Sequence, residues 1–460
     1  MQSAIFVMMN DITAIFAFLK YCLGSKEDMS MVIAGMDWQK LYSFASRQTI
    51  QGLCFDGIER LGVEYPEELK QNPMGRDLLM TWMGAAQQIR RQNMKVNVVA
   101  SKLYSMHRED GLRCCILKGQ GNALMYPNAY SRNPGDIDVW VNASREQITE
   151  YAKKHFELGD DIRYQHIETS VDGVPVELHF FPCTMNNPIY NARLQKWFKR
   201  NADLQCSNVV SLPDCIGEIA IPTTAFNVVY QLTHLYHHFF DEGIGMRQII
   251  DYFLVMDDFW KVKESFSQPS RPSLPKEGST AFPKPLSPQG TGDVTALRCS
   301  EPLRYKDGGA SKPSPGCAGW DRLGMEGDSS ATSCSSTTVA SSSSAVSLEV
   351  IQRDLKHLGL WKFARAVMYV LHEALGLSEE KMIAPMDEKR GKLLLSEILN
   401  GGNFGKHFTK YGHFTQQGMA KKYFLKIWRN MHFVRYYPAE ALCEPLFRIW
   451  HFFWRLKYKK

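Results

Sequence analysis

Gly135-Asp136-Ile137-Asp138-Val139-Trp140-Val141 is the stretch on which the reading of this chain turns. Acid and apolar residues alternate from Asp136 to Val141, the pattern of a half-buried strand. Residues two apart on a strand share a face. Asp136, Asp138 and Trp140 therefore point one way, and Ile137, Val139 and Val141 point into a core. Two carboxylates about 6–7 Å apart at their Cα atoms can converge on one or two divalent cations.

Downstream, Tyr164–Val171 and Val174–Phe180 flank Asp172-Gly173, the signal of a type I′ hairpin. On the second strand Val174, Val176, Leu178 and Phe180 share one face, and Pro175, Glu177 and His179 the other. Glu177 joins the two aspartates if the strands are neighbours. Three acids on one sheet face repel and raise each other's pKa unless counter-charge is supplied. Mg²⁺, or Mn²⁺ in its place, suits all-oxygen ligands and keeps phosphate or water as its other ligands.

Upstream, Cys114-Cys115-Ile116-Leu117 reads as a short buried strand. Lys118-Gly119 turns it into a helix through Leu124. A glycine there lets the backbone approach a phosphate, and the helix start offers free N–H groups. Gly119 and Gln120 are the candidate nucleotide-binding turn, and Lys118 or Arg132 can neutralise phosphate charge. Ser144 and Gln147 form an S-x-x-Q capping box for the next helix. The order is strand, helix, strand, helix, hairpin, a small sheet domain over 111–222.

The flanks are helical. In residues 1–110, Asp11 and Asp37 stand where N-caps belong, and a long pattern runs from Met74 to Met106. After Thr223, helical patterns cover Thr224–Phe240, Gly245–Trp260, Leu348–Leu375, Lys389–Leu399 and Met419–Trp454. Between them, 267–347 holds eighteen Ser, nine Pro and nine Gly in eighty-one residues. It has no apolar periodicity to offset its ordering entropy, so it reads as a disordered insertion. Looped out, it leaves 223–266 and 348–460 as one helical unit. The fold class is therefore α+β: a small mixed sheet between helical N- and C-terminal regions.

Composition excludes other classes. With 44% hydrophobic and 22% charged residues, the chain of 460 is neither wholly disordered nor collagen-like. No apolar run reaches membrane-spanning length, and no basic segment leads into Ile12–Leu23 as in a signal peptide. The eleven cysteines include no C-x-x-C pair, which points to a reduced, cytoplasmic protein. Hydrolase and dinucleotide motifs are missing. Residues 421–460 carry ten Lys/Arg and two acids, so the net charge of +6 resides at this end. Within it, Leu446–Lys460 interleaves aromatic and basic residues. That pattern reads as an amphipathic packing helix with a cationic outer face; membrane-surface binding and stacking on nucleic acid are the alternatives.

Leu117-Lys118-Gly119, Arg132, Gly135-Asp136-Ile137-Asp138 and Val176-Glu177-Leu178-His179 together resemble the DNA polymerase beta-type nucleotidyltransferase superfamily. More narrowly, they resemble uncharacterised bacterial nucleotidyltransferases with an LKG…GDIDLLV pattern and a later ELH. The His-rich helix with Thr233-His234 and His237-His238, then Arg247 and Asp251, fits that family too. The resemblance covers roughly residues 80–260 and implies a nucleotidyltransferase core. It implies Mg²⁺-dependent transfer of a nucleoside monophosphate from an NTP to an acceptor hydroxyl, on a small molecule, sugar or protein. Asp136 and Asp138 would be metal ligands, and Glu177 the third acid, ligating metal and activating the acceptor hydroxyl. Nucleic acid is a less favoured acceptor. A binding module without transfer is the rival reading.

Two departures stand out. The superfamily turn usually reads Gly-Gly or Gly-Ser, where this chain has Gly119-Gln120. Fifteen residues separate Gln120 from Asp136, more than usual. His234 and His238, one turn apart, share a helix face, and a structural or phosphate-contacting role is preferred to a metal site. Arg247 is a substrate-contact candidate, although an i, i+4 salt bridge with Asp251 is the plainer reading. His166 reads as a half-buried strand residue. His179, on the acid face, is the better candidate for substrate contact.

Overall fold

Asp37 accepts a hydrogen bond from the Lys40 N–H and starts a helix, as its place before an apolar stripe predicts. The structure is a computed structural model describing residues 2–158, 163–267, 347–407 and 419–458. The expected disordered insertion lies outside the described residues, save its ends at Ser267 and Ser347. Before the first strand come α1 (Gln2–Cys22), α2 (Ser30–Ala34), α3 (Trp38–Gln48), α4 (Gln51–Glu64), α5 (Pro66–Gln71) and α6 (Arg76–Glu109). Asp11 caps nothing: it lies inside α1, and its carboxylate pairs with Lys40 at 2.7 Å.

β1 (Cys114–Leu117), α7 (Gly119–Ala123), β2 (Ile137–Val141), α8 (Arg145–His155), β3 (His166–Val171) and β4 (Val174–His179) follow. The sheet order is β1-β2-β4-β3. β1 runs antiparallel to β2, β2 parallel to β4, and β3 antiparallel to β4. The hairpin forms where Asp172 and Gly173 both have positive φ, 51° and 72°, as a type I′ turn requires. Ser144 and Gln147 make the capping box of α8.

Ile137, Val139, Val141, Val174, Val176 and Leu178 are buried in a core shared with Val99 and Leu103 of α6 and Ile148 of α8. Burying each such side chain is worth about 1.5–3 kcal/mol. A one-residue slip would put Asp138 into that core, so the register is firmly held. The opposite sheet face carries Asp138, Trp140, Glu177 and His179.

That face is covered by helices. α9 (Pro188–Ser207), which the sequence reading did not anticipate, is capped by Asn187, whose side chain accepts from the Ile189 and Tyr190 N–H groups, with Pro188 opening its first turn. A small ribbon, β5 (Val209–Ser211) with β6 (Glu218–Ala220), precedes α10 (Thr224–Asp241) and α11 (Met246–Ser267). Trp140 stacks on Phe226 of α10 with centroids 5.9 Å apart. Beyond the insertion come α12 (Leu348–His357), α13 (Trp361–Leu375), α14 (Glu388–Gly401), α15 (Met419–Met431), α16 (Pro438–Ala441) and α17 (Glu444–Tyr458).

The pattern expected as one helix over Leu348–Leu375 is broken at Gly359, where φ is +76°. Met419–Trp454 is likewise three helices, interrupted before Pro438 and again before Glu444. The helices on either side of the insertion pack together: Trp260 Nε1 donates to the Lys381 carbonyl at 2.6 Å. One apolar core joins α1, α3 and α4 to α9–α14.

The C-terminal helix corrects a further expectation. Its apolar stripe does not face the protein. Leu446, Ile449, Phe453 and Leu456 are exposed, while Glu444 is buried and Arg448 reaches inward to Asp241 at 3.0 Å. The ion pair of Arg448 with Asp241 of α10 turns its polar side inward.

Candidate functional site

The parallel pairing of β2 with β4 sets Asp138 directly beside Glu177, with Trp140 beside His179. Asp136 stands just before β2. Carboxylate oxygens of Asp136, Asp138 and Glu177 lie within 4.8 Å of one another. The predicted triad is thus brought together by one sheet register.

Asp138 is not on an open face, as a solvated strand acid would be; it is 5% exposed. Lys118 Nζ sits 3.0 Å from its Oδ2, and His179 Nε2 sits 2.9 Å from its Oδ1. The same His179 nitrogen is 3.1 Å from Glu177 Oε2, so one imidazole spans both acids. Burial disfavours the charge on Asp138, but Lys118 and His179 outweigh it and hold the carboxyl well below its usual range. Burial also opposes charge on His179, yet its hydrogen bonds to the two acids lift its pKa to about 9. Asp136 moves the other way: the charge of Asp138, then burial, raise its pKa. It is the acid of the triad without a compensating hydrogen-bonded cation among the described residues.

Lys118 reaches Asp138 because its backbone takes φ +51°, ψ −128°, a rare conformation for a residue with a Cβ. Its ammonium also contacts His234 Nε2 at 3.1 Å. Lysine has only donors, so Nε2 of His234 accepts and the ring is neutral. Burial and the Lys118 charge push the pKa of His234 down accordingly. His238 lies beside His234, with ring centroids 4.3 Å apart, and against Phe404. The pair shares a face of α10, and the Lys118 ammonium meets the first of them.

Arg132 Nε and Nη2 grip the Asp251 carboxylate at 2.9 and 2.8 Å, and Tyr126 donates to the same carboxylate at 2.7 Å. The i, i+4 bridge expected between Arg247 and Asp251 is therefore replaced by a pair from two distant segments. Arg247 instead donates from Nη1 to the Asn133 carbonyl at 3.0 Å, while its Nε is buried with no hydrogen-bond partner among the described residues. Burial, then the charge of Arg132, depress its pKa.

Lys118, Gly119, Arg132, Asp136, Asp138, His234 and Arg247 line one cleft of about 50 Å³, with Phe404 at its wall. Acids and cations alternate around it, as the Lys118–Asp138 and Arg132–Asp251 pairs both lie in its lining. Gln120 is the correction at the turn: its buried side chain donates to Asn97 of α6, away from the cleft. α7 is only five residues long, so its dipole adds little, and the turn offers chiefly backbone and Lys118.

Sequence reasoning missed Tyr126, Gln231, Gln248 and Phe404 as cleft or support residues. None stands at a spacing that announces it. His166 was undervalued: its Nδ1 lies 3.3 Å from Glu177 Oε2, and His166, Glu177 and His179 form a second cluster of potential ligand atoms.

Among the described residues, no helix is long and apolar enough to cross a membrane. Comparison with curated proteins and with solved structures found no match. A family model described as uncharacterised nucleotidyltransferase matches residues 34–265, half of the chain, and spans the triad, the turn and the His-rich helix. The chain belongs to this nucleotidyltransferase family.

Proposed function

We propose that the chain transfers a nucleoside monophosphate from an NTP to an acceptor hydroxyl, with Mg²⁺ or Mn²⁺ as cofactor. The observation that carries this is the convergence of Asp136, Asp138 and Glu177 to within 4.8 Å. Three hard oxygen donors fit such a cation. So does the raised pKa of Asp136, which marks negative charge still in excess. Bound there, the cation would neutralise phosphate charge and make the acceptor hydroxyl more acidic.

The chain's own groups supply the rest. Lys118 and His179 fix the oxygens of Asp138. Arg247, which lines the same cleft, would take a phosphate oxygen through its guanidinium. Arg132 would contribute only what Asp251 leaves uncommitted. Glu177 Oε2 is held by His179, so Oε1 is the atom to receive the acceptor's proton. The acceptor oxygen then bonds to the α-phosphorus, the bond to the bridging oxygen breaks, and pyrophosphate leaves.

One observation favours a second reading, a binding module without transfer. Lys118 and His179 already balance charge on Asp138 and Glu177 inside the protein. Incubation with each α-labelled NTP and cell lysate separates the two readings. Transfer predicts a labelled product that disappears with EDTA and with Asp138→Asn. Wild-type activity in Asp136→Asn, Asp138→Asn and Glu177→Gln alike would end the proposal. Metal-dependent NTP binding without product would favour the module.

A further inference from the structure

We propose that α17, together with α15, seats the protein on an anionic lipid bilayer. α17 is turned opposite to an ordinary surface helix. Its polar side is used internally: Glu444 is buried and bonded to Arg448, Arg448 pairs with Asp241, and Lys426 of α15 meets the same Asp241 at 2.8 Å. Removing these groups from solvent aims the other side outward. Leu446, Ile449, Phe453 and Leu456, at spacings of three and four, are each 57–65% exposed. Trp450 and Phe452 flank the stripe and are exposed too. α15, which lies against α17, exposes Phe424, Trp428 and Met431 at i, i+4 and i+7. Isolated surface apolar residues need no explanation, but a continuous stripe of this kind marks a surface that something covers.

Charge identifies what covers it. From Pro445 to Lys460 the sequence has no acid and carries Arg448, Arg455, Lys457, Lys459 and Lys460. Of the ten basic residues of 421–460, Lys426, Arg429 and Arg448 are committed inside the protein, as are both acids, Glu440 and Glu444, which leaves seven basic residues and no acid to set the charge of this surface. A second copy would bring like charge against like charge. Nucleic acid would satisfy the cations but not Leu446, Ile449 and Leu456, which cannot stack on bases. A bilayer with anionic headgroups satisfies both: hydrocarbon takes the stripe, indole rings suit the interface, and headgroups meet the lysines. The seat is coupled to the sheet, because Trp450 and Trp454 pack on Tyr164, two residues before β3.

Flotation of the full-length protein with vesicles is the test. Vesicles of phosphatidylcholine mixed with phosphatidylserine should carry the protein, and phosphatidylcholine alone should carry much less. Added salt should weaken binding without abolishing it. Replacing Leu446, Ile449 and Phe453 together with Gln should lower the bound fraction by about tenfold or more, since the apolar area drives insertion. These side chains face solvent, so the melting temperature should hold. Brominated lipid acyl chains should quench wild-type tryptophan fluorescence, a readout independent of any variant. Absence of both flotation with and quenching by anionic vesicles would overturn the proposal. So would a dimer in sedimentation that the triple variant dissociates, or retention of nucleic acid in place of vesicles.

Discussion

Asp251→Asn leaves the Arg132 guanidinium buried without its counter-charge. Both side chains are nearly inaccessible, 7% and 6% exposed, and their contacts are 2.8 and 2.9 Å. Removing one partner of such a pair costs about 3–5 kcal/mol, because the remaining charge cannot return to water. The upper half of that range is expected here. The amide turns a donor toward Arg132, and Arg247, whose pKa Arg132 already depresses, loses the nearby anion. Against a total stability of about 5–15 kcal/mol, this is about a quarter or more. Urea unfolding followed by tryptophan fluorescence measures it. Arg132→Met should cost a comparable amount, and Arg132→Met with Asp251→Asn clearly less than the two singles combined, giving a coupling of up to about 3 kcal/mol. Arg247→Met removes one charge-assisted hydrogen bond to Asn133 and should cost only about 1.5–3 kcal/mol. A loss under about 1 kcal/mol for Asp251→Asn, or a stronger coupling of Asp251 to Arg247 than to Arg132, would refute the reasoning.

Asp138→Asn should abolish transfer and also lower stability by about 1–3 kcal/mol, because Lys118 and His179 lose a charged acceptor; paired activity and urea measurements check both effects. Arg247→Ala should weaken NTP binding in calorimetry by about 1–3 kcal/mol, with a smaller effect on NDP. His107 is buried, and burial lowers its pKa from the ordinary 6.5 to about 4. The unfolded chain therefore takes up the proton first: the contribution is fully present above pH 6.5 and is lost as pH falls toward 4. The loss amounts to about 3 kcal/mol, and a urea series across that window should flatten by this amount in His107→Phe.

Much of the sheet was legible because its signals are local. Alternation at 136–141, Asp172-Gly173 and Ser144/Gln147 each involve neighbours in the chain, whose geometry follows from strand period, turn sterics and cap hydrogen bonding. The same period placed Asp136, Asp138 and Glu177 on matching faces. Convergence of the three needed one more fact, the parallel register that sets Asp138 against Glu177.

Pairings between remote segments carry no such local mark. Arg132 meets Asp251 across 119 positions, while the nearer Arg247 at i−4 does not. His179 bonds Asp138 because β4 lies beside β2, and Lys118 turns onto the acids because the loop around it imposes a positive φ. For α17 the amphipathic period declared two faces but could not say which one turns inward. Asp241, two hundred residues earlier, settles that by drawing in Arg448 and Lys426. Periodicity is a property of one segment; the direction of a face depends on what the other segments offer it.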